Sequence, residues 1–125
     1  MRFPYVFLKG KYLPIVPLEL KGKGWVEVRA FADTGASYSV FHSDVAEILG
    51  IDYEKGRKDY LTVGDGSVML TYMHKIKVRF CEKDFNAKIG FSKSLGIGFD
   101  ILGREDFFDR FIFCFDSKNM ELRID

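Results

Sequence analysis

The chain has 125 residues, the length of one domain, and we expect residues 1–125 to form a single folded unit. Its residues are 47% hydrophobic and 30% charged, a composition that can build a core and excludes a disordered segment. The 19 basic and 18 acidic side chains give a net charge of +1, so we expect no nucleic-acid partner. No apolar run reaches the ~18 residues of a membrane span, so we expect no membrane partner.

The first third of the chain predicts strands. Residues 12–20 are apolar, but Pro14 and Pro17 confine this segment to a sheet edge, because proline cannot donate a ladder hydrogen bond. A glycine-rich turn at 21–24 follows, and residues 25–32 then alternate between apolar and polar, as a half-buried strand does.

One helix is predicted after the extended residues 38–41. Ser43 is the expected N-cap, and Gly50 suits the left-handed position that follows the last turn. Three apolar residues form the stripe that this helix is expected to bury: Val45, Ile48 and Leu49.

A glycine-tipped hairpin is the strongest turn signal in the chain. Gly64-Asp65-Gly66 separates two strand-like segments at 60–63 and 67–71. Residues 75–80 then alternate Lys or Arg with apolar residues. This alternation indicates a strand with one solvated face, and a basic binding patch is the alternative.

Turns also divide the second half of the chain. Residues 82–84 are expected to turn the chain back into an alternating strand at 85–91. Residues 99–103 fit a short buried strand, 104–110 fit two turns of helix, and 111–125 fit a terminal hairpin. The pattern predicts an all-β fold with one or two short helices.

A carboxylate stands where an apolar strand ends, in the segment Phe31-Ala32-Asp33-Thr34-Gly35-Ala36-Ser37. If Asp33 is removed from water, its ionised form needs local donors, which the Thr34 hydroxyl and the Gly35 backbone N–H can supply. The glycine also permits close approach of a second backbone or a substrate. The alternative is an ordinary Asp-Thr-Gly turn between a strand and a loop.

Three segments in this order resemble the retropepsins, the retroviral-type aspartic proteases. They are Asp33-Thr34-Gly35-Ala36, the glycine hairpin at 64–66, and Ile101-Leu102-Gly103-Arg104 ahead of the last predicted helix. The resemblance spans nearly the whole chain. It implies a retropepsin-like closed barrel or sandwich with a flap hairpin, and an endopeptidase that hydrolyses peptide bonds.

Aspartic proteolysis needs two carboxylates that share one proton, one to take a proton from water and one to donate to the substrate carbonyl. Two such charges ~3 Å apart repel by about 5 kcal/mol at an effective dielectric of ~20, which separates their pKa values by several units. The chain has one Asp-Thr-Gly, since Asp65 lies in a hairpin tip and Asp100 precedes isoleucine. A protease of this type must therefore be a homodimer with one Asp33 from each subunit, as the resemblance also implies.

The resemblance assigns further roles by position. Asp33, Thr34 and Gly35 match the catalytic motif, in which Thr34 would join the two active-site loops across the dimer, and Leu102-Gly103-Arg104 matches a structural motif. The hairpin residues would form a flap that holds a peptide as an added strand: Val63, Gly64, Asp65 and Gly66. Apolar or aromatic residues match positions that line the substrate pockets and imply a preference for hydrophobic side chains: Ala36, Tyr38, Val40, Phe99 and Ile101.

Three features depart from the retroviral pattern, and one of them is the charge of Asp65 at the flap tip. Retroviral enzymes commonly carry an acidic residue where this chain has Ser37, so Arg104 needs another partner, either an acid such as Asp106 or a backbone carbonyl. The terminal hairpin is longer than the single interface strand of the retroviral enzymes. One of its faces is expected to contribute to the dimer: Met120, Leu122 and Ile124.

No cofactor and no metal site are expected, because the histidines and cysteines lack ligand spacing: His42, His74, Cys81 and Cys114. The two widely spaced thiols fit a cytoplasmic protein and are expected to fill small core positions. Two alternatives to a protease stay open. One is a non-catalytic dimeric module of the same fold that binds peptides or supports assembly, and the other is a monomeric β domain.

Overall fold

The computed structural model describes residues 1–62, 66–96 and 98–125. Its regular elements are one α-helix, α1 (Ser43–Leu49), a 3₁₀ turn at Tyr53–Lys55, and strands β1 (Arg2–Pro4), β2 (Val6–Leu8), β3 (Lys11–Leu13), β4 (Ile15–Lys21), β5 (Trp25–Ala32), β6 (Ser39–His42), β7 (Arg57–Thr62), β8 (Val68–Phe80), β9 (Lys83–Ser92), β10 (Asp100–Leu102), β11 (Phe113–Asp116) and β12 (Glu121–Ile124). No helix in these ranges is long and apolar enough to span a membrane.

The largest sheet has seven strands in the order β4-β5-β10-β6-β9-β8-β7. Strand β4 also pairs with β8, where Glu19 and Leu20 face Arg79 and Val78. This second pairing brings an edge strand back onto the sheet and closes it on itself. Strands β1, β12 and β11 form a separate three-stranded sheet, and β2 pairs with β3. The predicted all-β architecture is confirmed.

The long hairpin of β8 and β9 follows the predicted alternation. Ile76, Val78 and Phe80 are buried on one face of β8, while the basic residues between them are exposed. On that exposed face, the Arg79 guanidinium lies 2.8 Å from the Asp84 carboxylate and stacks over the Trp25 ring at 4.1 Å. A solvent-exposed strand face, on which Arg79 pairs with Asp84, accounts for the alternating basic residues of β8.

Aromatic rings fill the main core. Phe80 is fully buried and makes edge contacts with Phe107 and Phe111, with ring centroids 5.6 and 5.2 Å apart. Leu122 and Ile124 of β12 are fully buried in the same core, whereas Met120 is 44% exposed. The expectation that these three share an interface face is therefore wrong for the two buried residues, which pack inside their own chain.

Helix α1 starts one residue earlier than Ser43 predicts. The N-cap is His42, whose Nδ1 accepts a hydrogen bond from the Asp44 backbone N–H at 3.1 Å, and Ser43 is buried in the first turn. Gly50 ends the helix in the left-handed conformation, as expected. Ile48 is 67% exposed, so the predicted apolar stripe is wrong at that position.

The predicted helix at 104–110 is replaced by one wide irregular turn at Arg104–Phe108. Glu105 is extended and Asp106 has a left-handed backbone with φ of 69°. The carboxylate of Asp106 accepts a hydrogen bond from the Lys88 backbone N–H at 2.8 Å, which ties this turn to β9. A tertiary contact has overridden the local helix preference.

Two further expectations fail in the hairpins. The turn between β8 and β9 is made by Cys81 and Glu82, both at positive φ, so the chain turns one residue earlier than predicted. Cys114 is exposed and its Sγ accepts a hydrogen bond from Arg123, so it is not a core residue.

Strand β10 lies between β5 and β6, parallel to β5 and antiparallel to β6. Gly103 follows it directly, and a Cβ at this position would overlap the backbone carbonyl of Tyr38. Its N–H donates to the buried Ser39 hydroxyl at 3.0 Å. Close backbone packing therefore requires glycine here.

We expect Gly103→Ala to lower the free energy of unfolding by about 2 kcal/mol or more, because the methyl group must push the Tyr38 backbone away. Urea unfolding followed by circular dichroism measures the change. Gly24→Ala is the control, since an added Cβ there meets no atom within 4 Å. Equal stability of the two variants would contradict the packing argument.

Candidate active site

Asp33 lies at the carboxyl end of β5, held by backbone contacts to β10. Its N–H donates to the Leu102 carbonyl at 3.0 Å, and its own carbonyl accepts from the Ala36 N–H at 3.1 Å. The Asp33 side-chain Oδ1 accepts from the Gly35 N–H at 2.9 Å, the donor that the sequence predicts. Thr34 is exposed, and its hydroxyl has no hydrogen bond within the described part of the chain.

The second motif is hydrogen-bonded along the first. The Arg104 N–H donates to the Ala36 carbonyl at 2.9 Å, and the Glu105 N–H donates to the Ser37 carbonyl at 3.0 Å. With the contact of Asp33 to Leu102, these bonds fix the loop after Asp33 from both ends. Two of the three segments that carry the resemblance thus form one structural unit.

The Arg104 side chain takes neither predicted partner. Its Nη2 lies 3.5 Å from the Ser37 hydroxyl, a weak contact at the surface. Asp106 instead bonds the Arg110 guanidinium at 3.2 Å. The hydroxyl that replaces an acid at position 37 is thus itself the side-chain partner of Arg104.

A cleft of about 550 Å³ opens above Asp33. Its described lining comes from the Asp33 loop, the two arms of the hairpin, and the loop after β9: Asp33, Gly35, Ala36, Leu61, Thr62, Ser67, Val68, Met69, Ser94, Leu95, Gly96 and Ile101. Asp33 is the only ionisable side chain among these residues. The described lining therefore presents one carboxylate among mostly apolar residues.

A family model described as "Aspartyl protease" matches residues 16–82, more than half of the chain. The chain belongs to the aspartyl protease family.

Two solved structures show the fold of this family member. A retropepsin-like aspartic protease from Rickettsia conorii superposes with a TM-score of 0.70 at 19% identity, covering 100% of this chain and 98% of that one. The EIAV protease in complex with the inhibitor HBY-793 superposes with a TM-score of 0.58 at 21% identity, covering 79% and 88%. The predicted retropepsin-like fold is confirmed. No curated protein matches the sequence.

Four of the five predicted pocket residues of this family member divide into two groups. Ala36 and Ile101 line the cleft. Tyr38 and Val40 lie beneath it in a small buried cluster with Met69 and Met73.

Phe99 is half-buried and faces a neighbouring cavity of about 290 Å³, which His42 and Asp100 also line. Its ring stacks on Phe31 with centroids 5.0 Å apart. Of the predicted flap residues, Gly66 is exposed with φ of 85°, and residues 63–65 lie outside the described residues.

Several cleft residues are absent from the sequence prediction. Leu61 and Met69 stand opposite each other on β7 and β8, and both line the cleft. Their apolar character beside a glycine hairpin is the signal that could have found them. Leu95 had a weaker signal, as the one large apolar residue of a polar loop.

Asp100 sits at the border of the smaller cavity. Its Oδ1 accepts a hydrogen bond from the His42 backbone N–H at 2.8 Å. Burial raises the pKa of the Asp100 carboxyl above its usual range, and the His42 bond offsets this only in part. Among the described residues, no group of three or more His, Cys, Asp and Glu side chains could hold a metal ion.

We expect Asp100→Asn to raise the free energy of unfolding near pH ~7 and to leave it unchanged near pH ~3. Because the folded pKa lies above the unfolded one, the unfolded chain releases this proton first as pH rises, and stability falls through that window. Asparagine keeps an acceptor for His42 without the charge.

Urea titrations of Asp100→Asn at the two pH values measure this difference. Asp109→Asn controls for the loss of one negative charge at an exposed position. A parent protein that is more stable than Asp100→Asn near pH ~7 would show that the ionised carboxylate is favoured in the fold.

Proposed function

We propose that the protein is an aspartic endopeptidase that acts as a homodimer, with one Asp33 carboxylate from each subunit. The cleft observation carries this proposal: Asp33 is the only ionisable side chain among its described lining residues, and peptide hydrolysis of this type uses two acids. A twofold axis beside Asp33 supplies the second acid without a second motif.

In the proposed reaction, the ionised carboxylate takes a proton from water, whose oxygen attacks the peptide carbonyl carbon. The protonated carboxyl donates its proton to the carbonyl oxygen. The tetrahedral intermediate then loses its C–N bond as the amine nitrogen receives the proton that the first carboxylate took from water, and the second carboxylate takes a proton back from one hydroxyl of the intermediate. Like-charge repulsion between the two carboxylates keeps one of them protonated, so that acid and base are present together.

The loop geometry supports this assignment. The Gly35 N–H donates to Asp33 Oδ1, which orients the carboxylate and leaves Oδ2 for water or the partner acid. Thr34 is exposed beside it, so its hydroxyl is available for the reciprocal contact between subunits that the family resemblance implies.

The apolar lining favours a peptide substrate with hydrophobic side chains at the scissile bond. Leu61, Met69 and Ile101 offer apolar contacts in the cleft that contains Asp33. Residues 63–66 are proposed to hold the peptide backbone as an added strand. The terminal region adds exposed apolar side chains to the proposed dimer contact: Ile112, Phe115 and Met120.

We expect Asp33→Asn to lower the rate of peptide hydrolysis by at least ~10²-fold, because the general base is lost. Asparagine Oδ1 still accepts the Gly35 bond, so sedimentation and circular dichroism should match the parent. A peptide-library digest across acidic to neutral pH, read by mass spectrometry, measures the activity. Cleavage by Asp33→Asn as fast as by the parent would contradict the proposal.

Subunit mixing tests the shared site. If each site needs two Asp33 carboxylates, adding about nine parts of Asp33→Asn to one part of parent should lower activity per parent chain about tenfold after exchange. Activity that follows parent concentration alone would show that one chain suffices. Peptide binding without cleavage by the parent at any pH would favour the non-catalytic module.

A further inference from the structure

Hydrogen bonds beneath the cleft link Tyr38, which precedes β6, to Thr71 on β8 and Asp59 on β7. The Tyr38 hydroxyl lies 2.7 Å from the Thr71 Oγ1, and the Thr71 hydroxyl donates to the Asp59 backbone carbonyl at 3.2 Å. Either hydroxyl can be the donor in the bond between Tyr38 and Thr71. The link runs from the segment just before β6, through β8, to β7.

Gly90 makes this link possible. Strand β9 lies between β6 and β8, so a side chain from one can reach the other only by crossing β9. A Cβ at Gly90 would lie 3.0 Å from Cε1 of Tyr38 and 3.2 Å from Cβ of Thr71. Because Gly90 has no side chain, the Tyr38 ring can lie across β9 at this position.

The link joins the acid loop to the arms of the hairpin. Tyr38 follows Asp33 by five residues in a loop that both motifs fix. Asp59 and Thr71 face each other on β7 and β8, two register positions from the cleft-lining pair Leu61 and Met69. The link therefore connects the loop that follows Asp33 to the two strands that carry these apolar cleft residues.

We propose that Tyr38 is a positioning residue that sets how far the arms β7 and β8 stand from Asp33. This inference rests on the proposed function, in which a peptide lies between the arms and the acid. Tyr38 itself is 6% exposed and acts through Thr71 and the cleft-lining residues beside it.

Tyr38→Phe tests the proposal, because it keeps the ring and removes only the hydroxyl. One lost hydrogen bond of ordinary strength corresponds to roughly five- to tenfold in a local opening equilibrium. We expect backbone amides in Arg57–Thr62 and in residues 68–72 to exchange hydrogen roughly five- to tenfold faster, with amides of Trp25–Ala32 unchanged. In peptide hydrolysis, KM should rise several-fold with little change in kcat.

Two further variants control the test. Tyr60→Phe removes a hydroxyl from the same arm at a side chain that is 66% exposed, and should change neither exchange nor KM. Thr71→Val breaks both bonds, so adding Tyr38→Phe to it should have little further effect.

Uniformly faster exchange in Tyr38→Phe, or no change in the arms, would overturn the proposal. Additive effects of Tyr38→Phe and Thr71→Val would also overturn it, since the two groups would then act separately. Exchange needs no catalysis, so an inactive parent protein would refute the proposed function while leaving this test decisive.

Discussion

The backbone hydrogen bonds between the Asp33 loop and the segment after β10 are the constraint on which the site depends. Asp33, Ala36 and Ser37 each bond a residue of the segment 102–105. The contact needs backbones closer than any side chain permits, which is why glycine stands at 103. Because β10 is inserted between β5 and β6, the acid loop is held by strands that belong to the core.

Much of the fold was predictable, because alternation and turn chemistry act locally. Strand β5 has the predicted limits, and the buried faces of β8 and β9 follow the alternation. The failures come from contacts between distant residues. The turn at Arg104–Phe108 departs from helix because the Asp106 carboxylate serves the Lys88 amide, 18 residues away. The N-cap is His42 rather than the predicted Ser43, because an imidazole nitrogen can accept the same backbone hydrogen bond as a hydroxyl.

The site was predictable where a motif specifies backbone geometry, and less so where side chains pack. The bond from the Gly35 N–H to Asp33 follows from residue types alone. The alternation of side chains along a strand did not show that Ile101 lines the cleft while Val40 is fully buried beneath it. That distinction depends on tertiary packing, since Val40 is covered by Met69 and Met73 of β8. The partner of Arg104 was missed since Ser37 carries no charge to indicate it.

The residues around the cleft belong to two separate packing units. The floor behind Asp33 is part of the main aromatic core, which includes Ala32 and Leu102. The arms rest on a smaller cluster containing Tyr38, Met69 and Met73. Methionine is unbranched and adapts its shape at low cost, so this cluster can follow a small shift of the arms. A displacement of the arms can therefore alter the width of the cleft while the carboxylate stays where the two motifs hold it.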